Sequence, residues 1–419
     1  MDSRRNEKIM RAVVFTLGCK VNGCESAYLA GGLSSLGYEV TDKLSYADLY
    51  IINTCAVTAE AEKKSRQAIA RARKYNPAAK IIITGCASQK SPDDFLKKEG
   101  VTLVTGASAK EKILDKLFEE GKFIEKEGVY AEWDTPLIND RTRAYIKVED
   151  GCDNFCSYCV IPYLRGRVRS RDPEKAREEI EHIAPLEAVI TGINLSSYSY
   201  EGKGVIKLIE GLKGVNCRIR LGSLEPRVIT EDFLRELKNL KDFAPHFHLS
   251  LQSGSDKVLK SMNRKYTREE FAEKCDLIRK FFPDAGITAD IIVGYSTERE
   301  EDFNDSLELA RRVRFSDIHC FPYSKREGTA GAKLKELPAS VKNERMDKML
   351  ALKAELKGEF INNNSGKTFE VVPEEQEGDY TVGYTGNYIR CYIKAPFERK
   401  IYKVKALSAF ADGVLAKEI

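Results

Sequence analysis

The sequence predicts an α/β chain in three parts: an N-terminal doubly wound parallel α/β domain, a central open (β/α)6 barrel and a small C-terminal all-β barrel. Three observations predict this. Short aliphatic runs alternate with amphipathic segments over residues 12–118, the same alternation resumes at Ala144 after a polar interval, and from Lys367 the pattern changes to short alternating runs broken by glycine. A length of 419 residues suits two or three cores at ~150 residues each.

In the first part, residues 12–17, 48–53, 80–84 and 101–104 read as strands, and residues 26–36 and 59–74 as helices between them. Strand, helix and strand in succession build a parallel sheet whose ligands bind beyond the C-terminal strand ends. Residues 119–143, with Gly121, Gly128, Pro136 and mixed charges, read as a linker across the surface. The domain limits are therefore set at 1–120, 121–143 for the linker, 144–366 and 367–419. Strands at 145–148, 188–191, 218–222, 246–251, 287–293 and 317–321 make about six β/α units, fewer than the eight of a closed barrel. Pro338 opens a long charged helix, and the run Asn-Asn-Asn-Ser-Gly at 362–366 ends it. Runs at 368–372, 380–384, 388–393, 401–407 and 414–416 complete a small barrel.

Hydrophobic residues make up 42% and charged residues 32%, and no apolar run nears the ~18 residues of a membrane helix. The polar start, Met1 to Arg11, lacks the apolar centre of a signal peptide, which implies a soluble cytoplasmic protein with reduced cysteines. A net charge of +4 is too small to argue for nucleic acid alone. Eleven cysteines in a reducing compartment call for metal binding, catalysis or burial rather than disulfides.

Cys152, Cys156 and Cys159 form a C-x3-C-x2-C loop directly after the first barrel strand. Three thiolates this close can grip one face of an iron–sulfur cube and leave the fourth iron open. Tetrahedral zinc needs a fourth ligand, which the loop lacks although His182 lies further on, so zinc and chance remain rival explanations. Cys19, Cys55 and Cys86 are distant in sequence, yet each follows a strand of the first domain and would reach one crevice. Ordinary core burial is the alternative. Cys24, Cys217, Cys275, Cys320 and Cys391 share no spacing and read as small core residues. His246 and His248 face one side of a strand, where packing or hydrogen bonding is preferred over metal. Trp133 lies in the linker and carries no functional reading. Arg165, Arg167, Arg169 and Arg171 recur with period two, so an extended backbone would align four guanidinium groups for phosphate, or simply for solvent.

The C-x3-C-x2-C loop, with Tyr158 before its last cysteine, resembles the radical S-adenosylmethionine (SAM) superfamily. That resemblance implies that the methionine end of the cofactor chelates the open iron of Cys152, Cys156 and Cys159 and is cleaved to a 5′-deoxyadenosyl radical. It places Tyr158 against the adenine. The segments Thr191-Gly192-Ile193-Asn194, Gly222-Ser223-Leu224-Glu225-Pro226 and His248 to Ser255 match the superfamily where it holds the cofactor, implying contacts at Gly192, Asn194, Ser223, Glu225 and Gln252.

The segments from Thr16 to Asn22 and from Asn53 to Thr58 look like the N-terminal domain of the methylthiotransferases, and the C-terminal module is similar to a TRAM domain. This implies an auxiliary cluster on Cys19, Cys55 and Cys86, hence two [4Fe-4S] clusters besides S-adenosylmethionine. The Gly18-Cys19-Lys20-Val21-Asn22 form and the run Gly383 to Tyr388 resemble the branch that adds a methylthio group to C2 of N6-threonylcarbamoyladenosine at tRNA position 37. Partners implied are tRNA at its anticodon loop, an electron donor such as flavodoxin or ferredoxin, and a sulfur donor. RNA contacts are expected at Arg165, Arg167, Arg169 and Arg171, whose segment is similar to one in the family. Tyr384, Tyr388 and Arg390 are further candidates, in a module that mixes aromatic and basic side chains.

Two departures stand out. Gly23-Cys24 replaces the usual Gln and aromatic residue, and Val293 to Glu298 lacks the family's Gly-Phe-Pro-Gly-Glu, so no ligand contact is placed there. Rival functions are action on isopentenyladenosine in tRNA or on a ribosomal-protein aspartate, and an RNA-binding iron–sulfur sensor without turnover.

Overall fold

A computed structural model describes residues 10–108, 110–125, 128–133 and 142–419. Residues 1–9 of the polar start and Pro136 of the expected linker lie outside the described residues. The chain forms two compact units, residues 1–138 with 159–167, and residues 139–158 with 168–419.

The first unit is built on a six-stranded parallel sheet of β1 (Arg11–Thr16), β2 (Glu39–Thr41), β3 (Leu49–Thr54), β4 (Lys80–Gly85), β5 (Val101–Thr105) and β6 (Gly121–Phe123), in the order β2-β1-β3-β4-β5-β6. Its central strand β3 is buried at all six positions. Alternation sends Tyr50 and Ile52 into the core on one face, and Leu49 and Ile51 into the core on the other. Each such aliphatic side chain contributes ~1.5–3 kcal/mol on full burial. The helix Lys20–Ser35, capped by Cys19, starts six residues before the expected onset at Ser26, and its first turns bury the polar Asn22 and Glu25 together with Val21 and Cys24, which hides the apolar period. Strand β6 pairs with β5 inside the stretch read as linker, being too short to show a period. Trp133, also in that stretch, stacks on Tyr28 at 5.0 Å.

In the second unit, β7 (Arg143–Lys147) is followed by an antiparallel ribbon of β8 (Glu149–Asp150) and β9 (Arg169–Ser170). Then come β10 (Glu187–Thr191), β11 (Arg218–Leu221), β12 (Ser223–Leu224), β13 (His246–Gln252), β14 (Gly286–Val293) and β15 (Asp317–Pro322). The sheets β11-β10-β7 and β12-β13-β14-β15 are parallel, and Gly222 alone separates β11 from β12, so six staves make the expected open barrel. Phe247, Leu249, Leu251, Ile287, Ala289 and Ile318 face the helix layer. Alternation then turns His246, His248, Thr288, Asp290 and His319 to the opposite, concave face. The long helix Ala339–Asn364 packs on β15, burying Met349, Leu352 and Leu356 in the same core.

The C-terminal strands β16 (Thr368–Glu377), β17 (Tyr380–Thr385), β18 (Arg390–Ile393), β19 (Tyr402–Phe410) and β20 (Gly413–Glu418) close a barrel in the order β16-β17-β18-β20-β19. This module docks on the N-terminal ends of the barrel strands. Arg218, opening β11, donates to the carbonyls of Glu370 and Tyr384, both at 3.1 Å, and Arg220 donates to those of Thr385 at 3.0 Å and Gly386 at 2.9 Å. Gly286, opening β14, has no side chain because a Cβ there would overlap the Asn387 carbonyl. Cys24, Cys217, Cys275 and Cys391 are buried and Cys320 is half-buried.

Candidate functional site

In the first unit, β1, β3 and β4 are neighbours in register, with Thr16 beside Asn53 and Thr54 beside Gly85. Cys19, Cys55 and Cys86 therefore follow three adjacent strand ends, and the three thiols lie within electrostatic reach of one another. Crowding there demands glycine. Gly18 has φ +106°, and a Cβ on it would lie 3.0 Å from the Cys55 Sγ, while one on Gly85, also at φ +106°, would overlap the Thr54 carbonyl. Asn22 Nδ2 ties the strand ends together by donating to the carbonyls of Leu17 at 2.8 Å and Thr54 at 3.0 Å. Burial pushes the Cys55 thiol up to about 11, so a proton would have to give way to a metal or a cation to make the thiolate useful.

Cations are in place. Arg165 is 0% exposed, Lys110 2% and Glu25 1%. Arg165 donates to Glu25 at 3.0 and 3.2 Å and to Asn22 Oδ1 at 2.6 Å, and its Nε–H points to Cys86 Sγ at 3.4 Å. Lys110 bonds to Glu25 as well and donates to Asn53 Oδ1 at 3.0 Å; burial lowers its pKa, with Glu25 pulling the other way. Two buried cations thus share one buried carboxylate, an arrangement costly in a low dielectric unless an anion stands nearby. A group carried on three thiolates is such an anion, and the residues present fit one.

The second trio begins in the second unit. Gly151 at φ +85° and Phe155 at φ +45° turn the loop. Asn263 Nδ2 donates to the carbonyls of Asn154 and Phe155, and Ser157 Oγ lies 2.8 Å from the Ser261 carbonyl and 2.7 Å from the Tyr295 hydroxyl. Each thiol faces an N–H: Asn194 Nδ2 lies 3.9 Å from Cys152 Sγ, Arg264 Nη1 3.2 Å from Cys156 Sγ, and the Ile161 backbone N–H donates to Cys159 Sγ at 3.5 Å. Donors to sulfur stabilise the thiolate state and raise cluster potentials. Burial pushes Cys152 up to about 11.

Around this loop stand several of the expected cofactor residues. Asn194 receives orientation from Glu149, whose Oε2 accepts its backbone N–H at 2.7 Å and whose carboxyl burial pushes up to about 8. Gly192 leaves room for that same side chain. Glu225 accepts from Asn154 at 2.5 Å and pairs with Arg264 at 2.9 Å. Gln252 closes β13 at φ +68°, Ser223 is paired with His248, and Tyr158 packs beside Tyr295 and Tyr323. Sequence reasoning missed Arg264, Asn263, Glu149 and Tyr295, since lone polar residues carry no periodic signal; Tyr295 even lies in the segment from which contacts were withheld.

Residues 146–310 match the model of the Radical SAM superfamily, and residues 11–106 match that of Uncharacterized protein family UPF0004. A threonylcarbamoyladenosine tRNA methylthiotransferase of Bacillus subtilis is 39% identical, covering 96% of this chain and 94% of its own length. The chain belongs to the radical SAM methylthiotransferase family. A second relative of that description, from Thermotoga maritima, is 37% identical over 96% of this chain and 95% of its own. A tRNA-2-methylthio-N(6)-dimethylallyladenosine synthase of Clostridium novyi is 33% identical over 87% and 85%. Among solved structures, the radical SAM methyltransferase TsrM of Kitasatospora setae superposes with a TM-score of 0.55 at 12% identity, over 75% of this chain and 72% of that one, a likeness of fold alone. As a member of this family the methylthiotransferase works with S-adenosylmethionine and iron–sulfur chemistry.

The arginine row of the methylthiotransferase is not a row. Pro162 opens a short helix, Ile161–Arg165, and Gly166 turns at φ +75°, so the backbone is not extended across the four. Arg165 is buried under Cys86, Arg169 pairs with Asp150 at 3.5 Å, Arg171 pairs with Glu179, and Arg167 is exposed. Tyr384 and Tyr388 stack on each other at 4.7 Å, and Tyr388 also stacks on His246 at 4.5 Å. Arg390 pairs with Glu377 and Asp412. Tyr388 thus joins the module to the barrel, while the ion pairs of Arg390 stay within the module. His182 is exposed in the last turn of the helix Pro173–Ile183. Among the described residues no helix is long and apolar enough to cross a membrane.

Proposed function

We propose that this methylthiotransferase converts N6-threonylcarbamoyladenosine at position 37 of tRNA to its 2-methylthio derivative. The observation that carries this reading is the gathering of Cys19, Cys55 and Cys86 at three adjacent strand ends beside a buried arginine, a second thiol trio beyond the one a radical SAM enzyme needs. The branch is supported by the Gly18-Cys19-Lys20-Val21-Asn22 segment and by relatives of the threonylcarbamoyladenosine description at 36–39% identity, against 32–34% for the dimethylallyladenosine description.

In this reading Cys152, Cys156 and Cys159 hold one [4Fe-4S] cluster and Cys19, Cys55 and Cys86 a second. When bound, the clusters and S-adenosylmethionine supply a methyl group, sulfur and the one-electron chemistry that an unactivated adenine C–H bond requires. The chain's own residues position these partners. Arg264 and the Ile161 N–H hold thiolates with hydrogen bonds, Glu149 fixes Asn194, and Glu225 is locked by Arg264 and Asn154 so that its orientation survives cofactor exchange. Gly192, Ser223, Gln252 and Tyr158 complete the cofactor wall, and Arg167 contributes to RNA binding. A low-potential donor such as flavodoxin or ferredoxin and a sulfur donor serve the reaction in the cytoplasm.

Mass spectrometry of digested tRNA from a deletion strain tests the substrate. The methylthiolated threonylcarbamoyladenosine is expected to vanish and return on complementation. Its persistence, with loss of the dimethylallyl form instead, would move the protein to the other branch. Release of 5′-deoxyadenosine with dithionite under anaerobic conditions separates the enzyme from a sensor, which would release none.

A further inference from the structure

On the concave face of the barrel, three adjacent parallel strands bring His248, Asp290 and His319 together, with Asp290 directly beside His319 in register and Thr288 beside His248. His248 Nε2 lies 3.1 Å from Asp290 Oδ2, and His319 Nδ1 lies 3.3 Å from Asp290 Oδ1. The ligand atoms of all three fall within 4.8 Å of one another. Two donors each about 2.1 Å from one ion stand roughly 3.0–3.4 Å apart at octahedral to tetrahedral angles, so each imidazole already stands at ligand spacing from the carboxylate, and a shift of the side chains by about an ångström brings all three onto one ion.

The surroundings fit ligation. The other ring nitrogen of His248, Nδ1, is 2.9 Å from Thr288 Oγ1, and that hydroxyl is also 2.9 Å from His246 Nε2. Once an ion replaces the proton between His248 and Asp290, Nδ1–H can donate to Thr288 and the threonine proton go to His246, so that the Nε2 lone pair faces the ion. A histidine ligand is commonly held in this way by a partner on its second nitrogen. The side chains grade outward from His248 at 10% exposed, through Asp290 at 23%, to His319 at 49%, which provides an entry path. Two imidazoles and one carboxylate suit a borderline divalent transition metal rather than magnesium or calcium, which take oxygen shells.

We propose that His248, Asp290 and His319 bind a divalent transition metal such as zinc(II), apart from the cysteine trios, leaving a coordination position for water or for an oxygen of a bound molecule. None of the three lies in a motif that the methylthiotransferase reading assigns to metal, and the proposal stands whichever adenosine is the substrate.

The test uses the full chain, anaerobically reconstituted with iron and sulfide, incubated with zinc(II) and desalted. Zinc and iron are counted by mass spectrometry, and the zinc shell is read by K-edge X-ray absorption. One zinc per chain is expected, with only nitrogen and oxygen at about 2.0–2.1 Å. His319→Ala, at a half-exposed position, is expected to weaken zinc binding about a hundredfold while iron content and melting temperature hold. Sulfur neighbours at about 2.3 Å would mean that the cysteines took the zinc and would overturn the proposal. Absence of zinc, or binding by His319→Ala equal to the parent, would overturn it too, leaving a hydrogen-bonded His–Asp–His chain.

Discussion

Arg165 cannot relax toward water when its partners change, because it is buried with Glu25, Asn22 and Cys86 around it. Replacing it by methionine leaves Glu25 with Lys110 alone and removes the N–H on Cys86. Breaking a buried pair of this kind costs about 3–5 kcal/mol, so Arg165→Met should melt well below the parent. A purely structural role would stop there. Loss of a positive charge and a donor beside a sulfur ligand also favours the oxidised cluster, so the auxiliary midpoint potential should move to more negative values in an EPR-monitored redox titration. Arg165→Lys should recover part of that shift, and an unchanged potential in a correctly loaded variant would remove the assigned role. Tyr295→Phe is a milder change at the other trio. It deletes one hydroxyl from Ser157, worth ~1 kcal/mol, and should speed iron loss to a chelator without altering global melting by more than a few degrees.

At the level of elements, Gly286 shows how one strand start serves two domains. Its backbone lies against the Asn387 carbonyl, and Asn387 Nδ2 donates back to the Asp284 carbonyl at 3.0 Å. Gly286→Val should pry the C-terminal module from the strand ends, visible as faster proteolysis near residues 364–367, with the barrel core intact. Much of this architecture was legible. Strands such as β3 and β14 stand within a residue or two of their expected limits, because the aliphatic side chains that they bury in the core recur at strand spacing between turn signals. The cysteine trios were legible for a related reason, since strand ends are easy to locate and thiols beyond them stand out. What the pattern did not carry was partnership across long distances. The row Arg165 to Arg171 has the period of a strand, yet Pro162 and Gly166 impose a helix and a turn, and Glu25 sits 140 positions away from the guanidinium that it holds. Nor could the sequence show that Tyr384 stacks on Tyr388 and Tyr388 in turn on His246 of the barrel.

Across the barrel and its C-terminal module, one carboxylate does most of the holding. Glu187 opens β10 and accepts from Arg218 at 2.6 Å and from Arg220 at 2.8 and 3.0 Å, and both arginines reach on to module carbonyls. Arg143, 3.6 Å from Glu187, also pairs with Glu374 of the module. Burial by itself would raise the carboxyl's pKa, but Arg220, Arg218 and Arg143 outweigh it and hold Glu187 at about 2, against 4.5 for the free group. A folded-state value below the unfolded one means stability that is complete above pH 4.5 and is lost as the pH falls toward about 2. The linked free energy is on the order of 3 kcal/mol, and protonation removes it by leaving arginines buried without their counter-charge. Melting followed from pH 6 to pH 3, with limited proteolysis of the module at each step, should show the module loosening below about pH 4.5. Glu187→Gln should already be loosened at neutral pH and should lose this portion of the acid dependence. If the variant instead keeps the parent's slope through that range, another carboxylate governs the joint and Glu187 is only a spectator of its arginines.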